Sequence, residues 1–362
     1  MIKNKLFILL PSKSPSGPIK GAYAMANGLV NKYDISIYYL KEGKGVNSFL
    51  DPKIKEIQLS EKSLGLFDKI LKYRKIIKIQ KPFISFSICF SADFLNFFCG
   101  DLTRSISSIR GNLPLNYYYD YGLLGYLLAI FHLNILRKFD LVFSMSSSMK
   151  SQIKKLSGIE TKVISNFIDE KPLEKYRKTK KVIDNKFNIA FLGSLSKRKQ
   201  PLLLLDIYKH INNKNMYLNY LGEGPLKNKL LRKIKQHNLV DNVFVYGFIK
   251  TPYEIISKCD LLILPSLSEG ISRAMLEALF LGLNCIVFDV DSNSEIANQC
   301  SNLYVVKSKD HLISQIKEIM KKKSKNKKSI DSLNFLPEEY RQDFCIKKLI
   351  QNFNSLENDI TI

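Results

Sequence analysis

Two glutamates, Glu269 and Glu277, close a segment reading Leu-Leu-Ile-Leu-Pro-Ser-Leu-Ser-Glu-Gly-Ile-Ser-Arg-Ala-Met-Leu-Glu, from Leu261 to Glu277. An apolar strand ends at Pro265, a short loop delivers Glu269, Gly270 permits close backbone approach, and a helix is expected at once, over 270–281. The free amides of Gly270, Ile271 and Ser272 would open that helix, where unpaired N–H groups and the helix dipole favour an anion such as a diphosphate. Glu269 precedes this terminus and Glu277 lies two turns into the helix, so the carboxylates would reach different parts of an extended ligand. One could stabilise positive charge on a sugar ring while the other accepts hydrogen bonds from ribose hydroxyls. Taken singly, Glu269 reads as a first-turn dipole residue and Glu277 as a solvated helix glutamate; the composite of strand, proline, Glu-Gly and second Glu points instead to a site.

The elements that must position this segment alternate apolar runs with amphipathic ones, the signature of βαβ units. In the first half, strands are expected at Lys5–Leu10, Asp34–Leu40, Phe83–Phe90, Leu141–Ser144 and Val163–Ile168, with helices over Gly21–Asn31, Phe67–Gln80 and Leu123–Leu136. A polar, Lys-rich stretch, Asp169–Lys186, reads as an interdomain linker. The cycle restarts at Phe187, with strands Asn188–Leu192, Met216–Leu221, Val243–Tyr246, Leu261–Leu264 and Cys285–Asp289. Helices are expected between them at Pro201–Ile211, Leu226–His237, Pro252–Lys258 and 295–300. The run Lys321–Lys328 reads as an exposed hinge, since dense like charges repel, and Pro337–Phe353 as a final helix. With 362 residues, two domains are the default. Two open parallel sheets would face each other across a central cleft, with ligands at the carboxyl ends of the strands.

The motifs in the second half resemble those of the retaining glycosyltransferases of family 4, which have the GT-B fold. Their E-x7-E motif matches Glu269 and Glu277, and the resemblance implies that Glu269 lies beside the donor sugar while Glu277 binds the nucleotide ribose. Phe191-Leu-Gly-Ser-Leu-Ser-Lys-Arg-Lys199 is similar to the strand-loop that supplies cations to the diphosphate, which casts Lys199 as a catalytic cation. In the family an arginine follows the first glycine of that loop; here Ser194 stands there and Gln200 replaces the final glycine, removing a bidentate phosphate donor. Lys197 or Arg198 would be the substitutes, although adjacent side chains are expected to point apart. Leu221-Gly-Glu-Gly-Pro225 matches the G-x-G-P turn and implicates Gly222; Val245-Tyr-Gly-Phe248 resembles the base-binding loop and implicates Phe248. Ser165-Asn-Phe-Ile-Asp169 resembles the family's linker start, and the likeness runs from about Ser165 to Glu295.

The N-terminal half resembles the family more loosely. In the family a Gly-rich loop after the first strand closes over the diphosphate, and Gly17 and Lys20 are the corresponding contacts. Arg110 and Asn112, in Ile109-Arg-Gly-Asn112, occupy the place of acceptor-side polar residues. The implied domains are 1–168 for the acceptor, 169–335 for the nucleotide-sugar donor, and a C-terminal helix, 336–362, packing back on the first. The implied reaction is metal-independent transfer, with retention, from a nucleoside-diphosphate sugar (UDP-linked in preference to GDP-linked) to a glycan or lipid-linked acceptor in bacterial surface-polysaccharide synthesis. Asp289-Val-Asp291 is a D-x-D, the metal-diphosphate signature of a different glycosyltransferase fold; period two would place both aspartates on one strand face.

Composition bounds the alternatives. Six scattered cysteines without a CxxC pair and four dispersed histidines argue against a zinc site or disulfide scaffold and fit a reducing, cytoplasmic setting. The apolar run Leu6–Leu10 is too short for a signal peptide, and Tyr121–Leu136, interrupted by His132 and Asn134, reads as a packed or surface-lying helix. Lys and Arg outnumber Asp and Glu by 56 to 33, an excess that favours acidic partners. The basic helix Phe67–Gln80, with Lys69, Lys72, Lys75 and Lys78 among apolar residues, is suited to lie on anionic lipid at the inner face of the membrane. A nucleic-acid binder would need clustered basic residues with interleaved aromatics, and the charge here is diffuse. An epimerase on the same fold would need an acid/base histidine pair at strand ends, where none of the four histidines falls.

Overall fold

Apolar hexapeptides such as Leu6–Leu10 with Lys5 and Phe187–Leu192 are buried on both faces, as strands inside a helix-covered parallel sheet must be. The computed structural model describes residues 3–14, 16–43, 50–59, 65–177, 186–325 and 336–358. The chain divides into two units, Met1–Asp169 with Glu338–Ile362, and Glu170–Pro337.

The first unit runs β1 (Lys5–Leu10), α1 (Gly17–Leu29), β2 (Asp34–Tyr39), β3 (Lys55–Gln58), α2 (Leu66–Gln80), β4 (Ile84–Ser87) and α3 (Phe90–Phe97). It continues with β5 (Arg104–Ser108), α4 (Leu113–Leu136), β6 (Leu141–Ser144), α5 (Ser147–Ser157) and β7 (Lys162–Val163). Its seven strands lie in the order β3-β2-β1-β4-β5-β6-β7, all parallel. The strand expected over Phe83–Phe90 stops at Ser87, because Cys89 turns the backbone at φ 75° and α3 begins at Phe90. Only Val163 of the strand expected at Val163–Ile168 is in β7; Ile168 instead bridges to Arg341.

The second unit runs α6 (Glu174–Arg177), β8 (Phe187–Leu192), α7 (Pro201–Ile211), β9 (Met216–Leu221), α8 (Lys227–Gln236), β10 (Val243–Gly247) and α9 (Tyr253–Ser257). Then follow β11 (Leu261–Leu264), α10 (Arg273–Phe280), β12 (Asn284–Phe288), α11 (Asn293–Ala297), β13 (Leu303–Val306) and α12 (Lys309–Lys325). The order β10-β9-β8-β11-β12-β13 reverses between β8 and β11, the switch point where such sheets bind ligands. The start of the expected linker is structured: the Tyr176 ring lies 5.8 Å from Tyr253 and Arg177 covers the Phe280 ring, while residues 178–185 lie outside the described residues. Of the expected hinge, 321–325 is the last part of α12, where Lys322 pairs with Glu318 at 2.7 Å; 326–328 lie outside the described residues.

After the second unit the chain passes a 3-10 turn, Glu338–Tyr340, and forms α13 (Gln342–Asn358) on the first. Close approach to α1 is possible because Gly28 has no side chain; a Cβ there would stand 2.4 Å from Ile346 Cγ1. Gln342 donates to the Ala24 carbonyl at 2.7 Å, and Phe353, fully buried, packs against the rings of Tyr33, Phe86 and Phe143. The C-terminal helix thus completes the first unit's core.

Candidate active site

Strand register decides which loops meet in the second unit. β8 pairs with β9 from Phe187↔Met216 to Leu192↔Leu221, so the two strands end level and Gly193 faces Gly222. Gly193 has φ +157° and Gly222 φ +152°, and a Cβ on Gly222 would lie 1.9 Å from the Gly193 carbonyl oxygen. A Cβ on Gly224 would lie 2.6 Å from the Leu195 carbonyl oxygen. Leu195 donates its amide to the Glu223 carbonyl at 2.9 Å, and Leu226 to that of Leu195 at 2.9 Å. The Gly-Glu-Gly-Pro turn is therefore a spacer-free crossing that fixes the loop 193–200. Gly222 also donates to the Gly247 carbonyl at 2.8 Å, tying in the loop that ends at Phe248, whose ring is exposed. Ser194 is exposed at the start of the first loop.

The end of that loop carries the charge. Residues 197–199 form a tight turn closed by Gln200 at φ 51°, after which Pro201 opens α7. Within this turn Arg198 and Lys199 converge on the loop after β11 instead of pointing apart, which corrects the expectation for adjacent residues. Lys199 Nζ bonds Glu269 Oε1, Arg198 Nη1 stands 3.9 Å from Glu269 Oε2, and Ser266 Oγ donates to Oε1 at 2.8 Å. Arg198 also donates to the Ser268 carbonyl at 2.7 Å, while its own carbonyl accepts from the Leu267 amide at 2.8 Å. Arg198 Nε is buried and has no hydrogen-bond partner among the described residues.

Glu269 is 7% exposed. Burial alone would raise its carboxyl, but the Lys199 and Arg198 cations and the hydrogen bonds from Lys199 and Ser266 outweigh it, holding the group below the ordinary glutamate range. Lys199 is pulled below the ordinary lysine range by burial, with Arg198 adding to the effect and Glu269 opposing it. The pair is thus a dry carboxylate flanked by two cations, suited to steady positive charge on one ligand group and negative charge on another.

Three readings of the sequence need correction here. The helix begins at Arg273 with Ser272 as N-cap, so Gly270 and Ile271 belong to the loop and do not open the helix. The reason is the hold on that loop from beyond β12: Asp291 Oδ2 accepts the Glu269 amide at 2.8 Å and the Ser268 hydroxyl at 3.0 Å. All three of Gly270, Ile271 and Ser272 are buried. For the same reason Asp289 and Asp291 do not share a strand face. β12 ends at Phe288, Asp291 turns at φ 48°, and Asp289 accepts from Ser294 Oγ at 2.5 Å. Nor is Glu277 solvated: it is 2% exposed and accepts from Arg273 Nε at 3.0 Å and Tyr253 OH at 3.2 Å.

The remaining candidates belong to the first unit. Gly17 and Lys20 are in the first turn of α1, which begins four residues earlier than expected, with open space around Gly17. Arg110 Nη1 donates to Asn166 Oδ1 at 3.4 Å, close over Gly21. Asn112 is buried and caps α4, its Oδ1 accepting from the Leu115 amide at 3.2 Å, a structural task that its position before an apolar helix foretells. Ser266 and Asp291 are functional candidates that the sequence does not assign to the site, and Arg198, one of two substitutes it offers for the missing arginine, is the one that reaches Glu269. For Arg198 the signal was its place beside Lys199; for Asp291 it was the acidic residue just past a strand end at the switch point.

Residues 173–332 match the family model described as glycosyl transferases group 1. The chain is 23% identical over 326 residues to the O-antigen biosynthesis glycosyltransferase WclY of Escherichia coli, covering 86% of this chain and 88% of that protein. It is 32% identical over 139 residues (38% of this chain, 37% of the relative) to the N-acetylgalactosamine-N,N'-diacetylbacillosaminyl-diphospho-undecaprenol 4-alpha-N-acetylgalactosaminyltransferase of Campylobacter jejuni. An uncharacterized glycosyltransferase of Methanocaldococcus jannaschii is 28% identical over 201 residues, 52% of this chain but only 48% of the relative's length. Among solved structures, Anabaena HepE in complex with UDP and glucose superposes with a TM-score of 0.79 at 16% identity, over 97% of this chain and 100% of that one. Sucrose-phosphate synthase from Thermosynechococcus elongatus gives 0.78 at 13% identity, over 98% and 100%.

Proposed function

We propose, from a chain whose residues 173–332 form a group 1 glycosyl transferases domain on the GT-B fold, that this protein is a retaining glycosyltransferase. It moves a sugar from a nucleoside-diphosphate donor, UDP-linked in preference to GDP-linked, to a glycan or lipid-linked acceptor hydroxyl in bacterial surface-polysaccharide synthesis. The observation that carries this reading is the buried Glu269 with Lys199 and Arg198 at the switch point between β8 and β11. UDP bound to HepE supports the choice of base, and the diphospho-undecaprenol in the name of the Campylobacter relative supports a lipid-linked acceptor at the inner membrane face.

Transfer requires an oxocarbenium-like transition state to be steadied and a diphosphate leaving group to be neutralised. Glu269, ionised by its cationic neighbours, provides the first. Lys199 and Arg198 provide the second, in a site held dry and preorganised by the loop crossing at Gly222. Arg198 takes over the guanidinium role that Ser194 vacates, a reading supported by its approach to Glu269 beside Lys199. Glu277, aligned by Arg273 and Tyr253, accepts the ribose hydroxyls. Phe248 offers its exposed ring to the base. No metal enters this scheme.

The test is nucleotide release from UDP-, GDP-, ADP- and TDP-sugars by the wild type and Glu269→Ala, with and without chelator. Release from one donor that survives chelator and vanishes in the variant supports the reading. Absence of turnover together with no donor-induced rise in melting temperature would overturn it.

A further inference from the structure

Helix α4 is built inside out. Its buried positions include Gly125, Ala129 and His132, whereas Tyr121, Leu123 and Leu124 are 67%, 71% and 77% exposed, with Leu127 and Phe131 also open. It is also not one rod. Tyr117 OH lies 3.0 Å from His132 Nδ1, although fifteen residues of straight helix would separate them by about 22 Å. Gly122, at φ 66° and ψ −147°, breaks the helix, and Gly125 lets the arms close, since a Cβ there would stand 2.0 Å from the Tyr117 carbonyl oxygen. The two arms meet at a corner where Leu123 and Leu124 are the most exposed large apolar side chains among the described residues.

What anchors α4 is polar in part. His132 Nε2 bonds Asp93 Oδ2 at 2.9 Å, and Ser87 Oγ donates to the other oxygen of Asp93 at 2.6 Å, all three buried. Beside this network Leu133, Ile135 and Leu136 bury the C-terminal end of the helix, while Tyr121, Leu123, Leu124 and Leu127 face out as an exposed apolar patch of the kind that marks an interaction surface. Between Leu113 and Leu136 Asp120 is the only Asp, Glu, Lys or Arg, and Arg137 and Lys138 follow directly.

Charge identifies the partner. Helix α3 packs against α4, with the Phe94 and Phe131 rings 6.4 Å apart, and its Ala92 and Leu95 share a buried cluster with Ile70, Tyr73 and Ile77 of α2. Helix α2 exposes Lys72, Lys75 and Lys78 together with Phe67, Leu71 and Ile79. An apolar corner on α4 and exposed lysines on α2 of the same unit match the interface of an anionic bilayer, where apolar side chains enter below the headgroups and lysines stay among them. A second copy is disfavoured because each chain carries a formal net charge of +23. Among the described residues no helix is long and apolar enough to cross a membrane, so the contact is one of lying on the surface.

We infer that the outer face of α4, entered through the Tyr121–Leu124 corner, together with the exposed lysines of α2, docks the N-terminal domain on an anionic lipid surface. This names the membrane-contacting element of the lipid-linked-acceptor reading and rests on that reading for its purpose, though not for its test. The test is flotation with vesicles of phosphatidylcholine alone or with about 30% phosphatidylglycerol, using the wild type, L123S/L124S and K72E/K75E/K78E. The wild type is expected to float with the anionic vesicles only. Both variants should bind them at least about tenfold more weakly with unchanged melting temperature, since every altered side chain is exposed. Equal binding by L123S/L124S, no binding by the wild type, or a wild-type dimer that dissociates in L123S/L124S would each overturn the inference. Donor hydrolysis without vesicles is expected to be equal in all three proteins. Its absence from the wild type would defeat the transferase reading while leaving the flotation result to stand alone.

Discussion

The two sheets share the order 3-2-1-4-5-6 in each unit's own count, the first adding a seventh strand at its edge, but load their central strand ends with opposite chemistry. In the C-terminal unit the loops after the first and fourth strands bring Lys199, Arg198 and Glu269 together, buried and charged. At the corresponding fourth strand of the N-terminal unit, Ser87, Asn96, Asp93 and His132 form a hydrogen-bonded buttress for α4. The loops after the first strands are each crossed closely by a glycine from the loop after the second strand, Gly222 over Gly193 and Gly43 over Ser14, but a Cβ on Gly17 at the start of α1 would meet nothing within 4 Å among the described residues. One topology thus carries a reactive cluster in one unit and a structural strut in the other, which is why function must be read from sites rather than from folds.

The sharpest way to break this contrast is to neutralise one carboxylate in each unit. Glu269→Gln keeps the shape but removes the charge on which the proposed transfer relies, and turnover is expected to fall by about 10²–10³. Asp93→Asn should leave donor hydrolysis within a few-fold but lower stability by about 1–3 kcal/mol, because Ser87 and His132 both depend on that buried carboxylate. Kinetics and thermal melts on both variants check the pair; a kinetic collapse in Asp93→Asn with normal stability would erase the distinction.

The glycines give a second contrast. Gly222→Ala would press a Cβ to 1.9 Å of the Gly193 carbonyl oxygen at a φ disfavoured for alanine, so a loss of about 2 kcal/mol or more is expected. Gly17→Ala meets nothing within 4 Å and opens a helix, so its melting temperature should stay level or rise slightly. Any fall in donor affinity of Gly17→Ala would then report on ligand contact, free of a folding effect.

These contrasts were unequally legible in the sequence. Periodicity and apolar runs located β8, α7, β9 and β11 closely, because buried parallel strands and amphipathic helices leave strong local patterns. The short elements β3, α3 and α5 went unseen, and Cys89 shows why: a non-glycine residue at φ 75° carries no turn signal. The pairing of Lys199 with Glu269 was foreshadowed by the motifs, but the convergence of Arg198 was not, since it depends on a three-residue turn closed by Gln200 in a left-handed conformation. Asp291 was hidden for a similar reason. Extending β12 by pattern through Asp289 put it on a strand, while the chain leaves the sheet at Phe288 and turns it back onto the Glu269 amide.

Asp291 therefore acts as a positioning residue, and Asp291→Asn sharpens the comparison from within the C-terminal unit. The amide side chain keeps one acceptor oxygen but loses the charge that holds the Glu269 and Ser268 donors. A fall in kcat of about tenfold with little change in KM is expected, since the donor is still bound while the carboxylate is held less firmly. An unchanged kcat would show that Ser266 and the two cations suffice to place Glu269.

The smallest expected effect concerns pH. Burial, reinforced by Arg198, lowers the Lys199 ammonium below the ordinary lysine range, while Glu269 is held below the ordinary glutamate range. The protonated Lys199 and ionised Glu269 coexist between those two values, so activity should fall on the acid side only below the usual glutamate range. On the alkaline side it should fall before the usual lysine range is reached. Lys199→Arg keeps a cation that does not titrate there, so kcat/KM near neutrality should stay within about tenfold while the alkaline limb moves up and the acid limb stays. A profile of kcat/KM against pH at fixed ionic strength measures both limbs. An alkaline limb that stays put in Lys199→Arg would assign it to another group and leave Lys199 only the task of ionising Glu269.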